Sequence, residues 1–402
     1  MHTIVLGAGI TGVTAAWYLA RSGADVTVLD AADSIACGTS YANAGQLSYG
    51  FVDALATPDF LAQIPGILAG RELGTEVGID RGTIAWGLRF LLQCRAARSR
   101  ATTIRMLELA HDAAHLFEEI LDTVTIDFDF RRAGKSALLA DDRALRLAER
   151  EVAIKRQHGS EVVLLTRRDA LEIEPTLEHM HEPVAGVVYS ATDTVGDARA
   201  FSRGLAEHAR QCGVDFRLGV RVAALEFANG RVTGVITADG ERIDADAVVV
   251  SLGTGSRPLL ARVGVHLPII PVRGYSVTLP IGAQPPVTSI TSRRNHFVFT
   301  RLGQGVRVAG FTDFRGYETG HDERRVRQLV DVARRSAPLA ADFDAAERHA
   351  WGGFRPMTPD TLPRWGKTNI AGLYLNTGHG MLGWTLAPAT AAAVARELIA
   401  AD

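Results

Sequence analysis

Residues 2–30 read HTIVLGAGITGVTAAWYLARSGADVTVLD. His2 to Leu6 form a short apolar run that stops at a glycine. Thr11 to about Arg21 repeats apolar residues at helical spacing, and a second apolar run ends at Asp30. Strand, helix and strand in that order predict a βαβ unit. Gly7, Gly9 and Gly12 give G-x-G-x-x-G at the first junction. Gly7 makes the tight turn, Gly9 lets backbone approach a pyrophosphate, and Gly12 lets helix and strand pack closely. The helix start offers unpaired N–H groups and partial positive charge to phosphate. Asp30, 18 residues after Gly12, can accept hydrogen bonds from ribose hydroxyls. The glycines alone are a weak signal; with both strands, the helix and the terminal acid in register they predict a dinucleotide site.

A chain of 402 residues exceeds the size at which one core keeps growing, so two domains are expected. The formal net charge of −2 gives no sign of a nucleic-acid partner. Only Lys135, Lys155 and Lys367 are lysines among 43 basic residues, and the arginines are scattered. Cys37, Cys94 and Cys212 have neither metal-ligand spacing nor the even number of a disulfide framework, so no metal is expected and a reducing compartment fits. The opening MHTIVLGAGITG shows no basic leader, and no uninterrupted apolar run reaches the length of a membrane span. The nearest approach is GFVDALATPDFLAQIPGILAG, residues 50–70, interrupted by Asp53, Asp59 and two prolines. It reads first as an exposed loop, and second as a segment touching a membrane.

Further along, residues 101–121 carry an amphipathic helical pattern, and DFDFRRAGKSALLA reads as two short strands around a turn. A helix capped by Asp141 or Asp142 follows, then the strand AGVVYSATDTVG and a helix from Asp197 to Gly213. VDFRLGVRVAALEFANGRVTGVITADGERIDADAVVVSLG reads as four strands with NG and DG turns. Residues 267–312 are rich in strands, a charged helix follows, and an alanine-rich helix closes the chain. No linker separates these blocks, which predicts domains that interleave.

After Asp30 a domain for NAD would continue with βα units. Here the chain runs into AADSIACGTSYANAGQLSYG, small and polar, with Ser40, Asn43, Gly45 and Gln46 offering donors and little bulk to an extended cofactor. With this run, PVRGYSVTLP, GFRPMTPD and LNTGHGMLGWTLA, the sequence resembles the FAD-dependent amine oxidase superfamily of D-amino-acid oxidase, glycine oxidase and sarcosine oxidase. It is most similar to the bacterial D-amino-acid dehydrogenase small subunit, from end to end.

The resemblance implies an α/β fold: a discontinuous, glutathione-reductase-like FAD-binding Rossmann domain (1–85, 190–262 and 350–402) with an inserted mixed or antiparallel-sheet substrate domain (86–189 and 263–349). It implies that Gly7, Gly9, Ile10, Thr11, Gly12, Asp30 and Ala31 hold the adenosine end of FAD. Thr39, Ser40, Asn43, Ala44, Gly45, Gln46, Leu47 and Ser48 would follow pyrophosphate and isoalloxazine, with Gln46 and Leu47 near the reactive ring. Val222 matches a backbone contact to adenine, and Ser251, Leu252 and Gly253 a second approach to the cofactor. Relatives with covalent flavin carry a histidine where Ala42 stands here, so the FAD is expected to be non-covalent.

GHGMLGWT, from Gly378 through His379, Gly380, Met381, Leu382, Gly383 and Trp384 to Thr385, leaves N–H groups open where the last helix begins. A helix N-terminus there would stabilise negative charge on a reduced flavin. His379 contributes either its backbone or a catalytic imidazole. In WGGFRPMTPD, residues 351–360, Arg355 either braces a turn or grips an anion. The guanidinium fork matches a carboxylate, and a buried arginine with no permanent partner is costly, so the anion is favoured. The resemblance places Arg355 as the substrate-carboxylate residue beside the flavin. Tyr275 either adds a hydroxyl to that carboxylate or lines the pocket, and Arg273 serves a crossover between domains.

The expected activity is FAD-dependent oxidative deamination of D-amino acids by hydride transfer from Cα to flavin N5, yielding 2-oxo acids and ammonia. The partners are a small-molecule amino acid and an electron acceptor, a quinone or an electron-transfer protein. The alternative is an amine oxidase or dehydrogenase for glycine, sarcosine or a cyclic amino acid such as D-proline or hydroxy-D-proline. The expected location is the cytoplasm, with peripheral contact on the inner membrane left open.

Overall fold

The computed structural model describes residues 1–78, 80–320 and 322–400. Two sheets organise the chain. The first has six strands in the order Arg364–Lys367 (β19), Leu373–Thr377 (β20), Ala247–Val250 (β13), His2–Leu6 (β1), Asp25–Asp30 (β2) and Asp215–Leu218 (β9). All pairings are parallel except β19 with β20. The continuous apolar runs of β1 and β13 follow from burial on both faces. On one side pack the helices Ile10–Arg21 (α1), Ala96–Thr123 (α4), Ala198–Gln211 (α7) and Gly383–Ile399 (α10), through residues such as Val13, Leu107, Phe201 and Leu386. On the other lies a three-stranded antiparallel sheet of Val222–Ala228 (β10), Arg231–Thr237 (β11) and Arg242–Asp244 (β12), whose Leu225, Val232 and Val235 cover Ile4, Leu6 and Val248.

The second sheet is mixed. Its path is His349–Met357 (β18), Ile270–Pro280 (β14), Gly305–Phe314 (β17), Phe297–Leu302 (β16), Ser289–Ser292 (β15), Lys135–Leu139 (β5), Gly186–Ser190 (β7) and Val163–Thr166 (β6), with Thr75–Val77 (β4) beside β17. Asp322–Ser336 (α9) seals one face with Val326, Leu329 and Ala333. Asp142–Gln157 (α5) packs against the β5–β7 end, Arg167–Ile173 (α6) lies beside β6 and β7, and Ser256–Ala261 (α8) lies beside β10. A two-stranded ladder of Gln46–Leu47 (β3) and Thr194–Val195 (β8) sits between the two sheets.

Three local expectations need correction. Residues 214–253 hold five strands, β9 to β13, because the short β12 was not separable from its neighbours by pattern. DFDFRRAGKSALLA holds one strand, β5; Arg131 makes only an isolated bridge to Val195. Half of residues 50–70 is helical, Pro58–Leu68 (α2). Thr57 caps it through the Phe60 N–H, and Pro58 occupies the first turn, where its missing N–H costs nothing. A neighbouring helix, Arg81–Gln93 (α3), is capped by Asp80. The domain border expected at 350 falls inside β18, which hydrogen-bonds along β14 in the second sheet.

Candidate active site

The two sheets face each other across a cleft with a volume of about 1150 Å³. At one end stands the glycine turn. A methyl group on Gly12 would lie 1.8 Å from the Gly7 carbonyl oxygen, which explains why helix and strand can touch there. Gly7, Gly9, Ile10, Thr11, Asp30 and Ala31 line the cleft, while Gly12 stays beneath them in the helix–strand contact. Asp30 accepts the Ala8 N–H at 2.6 Å and the Ala32 N–H at 2.8 Å, so the carboxylate is held rigid at the strand end.

From Thr39 to Ser48 the chain lines the cleft, apart from Tyr41 and Leu47. Ser40 Oγ accepts the Ile10 N–H at 3.1 Å, tying the run to the first helix turn, and the Ser48 N–H donates to Thr385 Oγ1 at 3.0 Å, tying it to α10. Leu47 departs from the expectation: strand alternation in β3 sends it into the helix-side core, fully buried, while Gln46 faces the cleft. At Val222 the cleft wall is formed by Arg221 before it. Ser251, Leu252 and Gly253 line the wall at the end of β13, and Gly378 to Thr385 line it at the start of α10. Ser251 Oγ and Trp384 Nε1 are buried and have no partner among the described residues. Orphaned polar atoms beside a bare glycine turn and a helix N-terminus are a set that fits a dinucleotide such as FAD.

His379 does not present its imidazole to the cleft as a free base. Nε2 is bonded to Thr390 Oγ1 at 2.9 Å within α10, and burial presses the ring down to about 3, so it stays neutral. Tyr275 lines the cleft, yet its hydroxyl donates to Asp313 Oδ2 at 2.8 Å. A phenol has one proton, so that proton is committed.

Arg355 lies half-buried in β18 and crosses β14 above Gly274 to reach β17. Its Nη1 donates to the Phe311 carbonyl at 2.8 Å and to Thr312 Oγ1 at 3.2 Å. No carboxylate pairs with it among the described residues, and Nε and Nη2 keep their donors. The nearest acid, Asp313, is taken by Arg325 at 2.9 and 2.7 Å. Burial pushes the guanidinium down to about 10, against the pull of Asp313 and Tyr275, so it remains a cation at neutral pH. Arg273 pairs with Asp322 and stacks on Phe354, 4.5 Å from the ring centroid, in keeping with a structural role.

Sequence reasoning missed Gly274, whose bareness admits Arg355, and Lys135, which lines the far end of the cleft. The Lys135 ammonium donates to Gln46 Oε1 at 3.1 Å and Ser48 Oγ at 2.9 Å. The scarcity of lysine was a usable signal: two of the three meet at this end, Lys155 pairing with Asp53 at 2.7 Å.

A family described as "FAD dependent oxidoreductase" matches residues 2–397. A D-amino acid dehydrogenase of Sinorhizobium medicae (strain WSM419) is 36% identical over 98% of this chain and 95% of that protein. One of Paramagnetospirillum magneticum (strain ATCC 700264 / AMB-1) is 39% identical over 96% of this chain and 92% of that protein. Glycine oxidase from Bacillus cereus ATCC 14579 superposes with a TM-score of 0.75 at 20% identity, covering 100% of this chain and 95% of that one. L-proline dehydrogenase from P.horikoshii gives 0.73 at 20%, covering 100% and 94%. At those identities the solved structures speak for the fold.

Proposed function

This chain belongs to the FAD dependent oxidoreductase family, and we propose that it oxidatively deaminates D-amino acids to 2-oxo acids and ammonia. Relatives named D-amino acid dehydrogenase support the substrate class. The observation that carries the reading is Arg355, a guanidinium without a carboxylate of its own, held over Gly274 at the cleft wall.

Anchoring Nη1 on Phe311 and Thr312 fixes the plane of the fork and leaves the Nε–Nη2 edge for a bidentate substrate carboxylate. That contact sets which face of Cα turns inward, and hence the D selectivity. FAD, when bound, supplies the two-electron acceptor for the hydride that leaves Cα. The substrate amine enters neutral, and the imino acid that remains adds water to give the 2-oxo acid and ammonia. Trp86, Phe90 and Phe311 line the same cleft and keep water from the reacting carbon. Tyr275 acts as a strut through Asp313, and His379 acts through its backbone. FAD is held without a covalent bond, Ala42 offering no attachment atom. Segments 1–85, 190–262 and 358–402 hold the cofactor in this reading, with the rest holding substrate.

Anaerobic mixing with matched D- and L-amino acids tests the activity. Bleaching of the flavin by D isomers, with dye reduction and no hydrogen peroxide in air, is expected. Bleaching only by glycine, sarcosine or D-proline, or peroxide release at the rate of turnover, would move the assignment to an oxidase.

Among the described residues no helix is long and apolar enough to cross a membrane. The electrons nevertheless leave, in our reading, to a quinone at a membrane surface. α2 buries none of its residues, and with α3 it exposes Leu61, Leu68, Ile84, Leu88, Leu91 and Leu92 beside Arg71, Arg81, Arg89 and Arg95. An apolar patch bordered by arginines suits an anionic bilayer. Phe60, Trp86 and Phe90 of the same two helices line the cleft, so acceptor and cofactor would meet there.

A further inference from the structure

Trp351 and Arg355 leave β18 on the same face, and each leans away from its own partner on β14. Arg355 is paired in register with Val272 and Trp351 with Ser276, while Gly353 between them is paired with Gly274. The guanidinium of Arg355 fills the space over Gly274. The indole of Trp351 fills the space over Gly353, where a methyl group would stand 1.9 Å from Cη2 and 2.1 Å from Cζ2. The two side chains therefore lean toward each other and meet over one pair of glycines. Opposite positions on paired antiparallel strands carry β-carbons roughly 5 Å apart, so the benzo edge of the indole lies beside the guanidinium. Both residues line the cleft.

Glycine weakens the middle of a strand, and these two stand opposite each other in strands of 11 and 9 residues. Neither has a positive φ, so backbone conformation does not demand glycine at either position; space does. Bareness at 274 admits the guanidinium, and bareness at 353 admits the ring beside it. The strand order β18, β14, β17 bounds the clamp from both sides. Phe311 and Thr312 of β17 hold Nη1, and Trp351 of β18 stands opposite them.

The ring is itself held in place. It stacks on Tyr41 with centroids 6.5 Å apart and planes 20° apart, and Arg199 lies 4.0 Å over the Tyr41 ring. Ser276, the register partner of Trp351, donates to the Ala42 carbonyl at 2.6 Å. We propose that Trp351 is a positioning residue for the substrate carboxylate. The rim of an aromatic ring is its electropositive part, and here that rim borders the fork. A carboxylate seated on Arg355 meets the rim in place of water, and its charged hydrogen bonds strengthen where water is excluded. The ring also stops the fork from swinging toward Tyr41. This inference rests on the reading of Arg355 as the carboxylate clamp.

Calorimetric titration of the FAD-loaded protein with butyrate and with its neutral counterpart butyramide tests it without turnover. The unsubstituted protein is expected to prefer butyrate by roughly tenfold or more. Trp351→Ala should cut that preference by roughly fivefold. Trp351→Leu, which fills the space without an aromatic rim, should cut it as well, whereas Trp351→Phe should retain most of it. A preference unchanged in Trp351→Ala and Trp351→Leu would overturn the proposal. So would an equal loss of affinity for both probes, the mark of a wall that only packs. Arg355→Ala separates the two readings. A preference that survives Arg355→Ala counts against the clamp itself, whereas one abolished by Arg355→Ala and untouched by the Trp351 variants counts against Trp351 alone.

Discussion

The guanidinium of Arg355 lies across Gly274 so closely that a methyl group on that glycine would stand 2.3 Å from Nη2 and 2.4 Å from Cζ. Bareness at 274 is therefore a condition for the fork to reach β17. Gly274→Ala should push the guanidinium aside without touching the dinucleotide end of the cleft. The expected result is a substrate KM raised by about tenfold or more, from a lost charge-assisted contact, with flavin content unchanged. Steady-state kinetics and the ratio of flavin to protein absorbance check both halves. An unaltered KM would mean that Arg355 does not need that path.

Asp313 organises the charges behind Arg355. It takes Arg325 through two contacts, the Tyr275 hydroxyl at 2.8 Å and the Glu76 N–H at 3.1 Å. Asp313→Ala would leave the buried Arg325 cation with only the longer Glu76 ion pair at 3.6 Å, at a cost of about 3 kcal/mol, read as a lower denaturation midpoint. Tyr275→Phe removes one hydrogen bond, about 1 kcal/mol, and should leave substrate KM within roughly threefold of its starting value. A KM rise matching that of Arg355→Ala would return the hydroxyl to the substrate.

Stability should depend on pH through the buried Lys135. Burial pushes the Lys135 ammonium down to about 8; Asp193 and Asp53 pull it up, and Arg293 and Lys155 push it further down. Gln46, Ser48 and Phe51, the other groups facing it, carry no charge. An unfolded lysine keeps its proton to its ordinary 10.5, so the linked effect on folding is a gain in stability between about 8 and 10.5. His379, held near 3 by burial, adds nothing in this window. Denaturation midpoints measured from about pH 7 to 10 test the sign.

Leu88, 61% exposed on α3, is one of the apolar residues that α2 and α3 leave uncovered. Leu88→Glu should reduce cosedimentation with vesicles of phosphatidylglycerol and phosphatidylcholine while leaving dye-linked turnover intact. Binding of the unsubstituted protein that is equal for anionic and neutral vesicles would remove the role given to the arginines.

Local pattern carried the cofactor end because its determinants are contiguous: Gly7, Gly9, Gly12 and Asp30 belong to one βαβ unit, and strand periodicity and helix capping place them. Arg355 was legible for a different reason, its restrictive glycine and proline neighbours. What stayed hidden depends on which strands become neighbours. Gly274 matters only because β18 pairs with β14, and Lys135 only because β5 lies three strands from β17 and beneath β3. Tyr275 and His379 were legible as residue types, but the proton of one and the ring of the other are committed by Asp313 and Thr390, 38 and 11 residues away. In α2, two prolines looked like breakers, though one of them sits at a helix start where it is tolerated.

The most direct test is substrate affinity in the Arg355→Ala protein, from the concentration dependence of anaerobic flavin reduction by a D-amino acid. The dissociation constant is expected to rise by about two orders of magnitude, as for loss of a buried bidentate ion pair, with one FAD still bound per chain. A dissociation constant equal to that of the unsubstituted protein would contradict the carboxylate clamp and the reaction built on it.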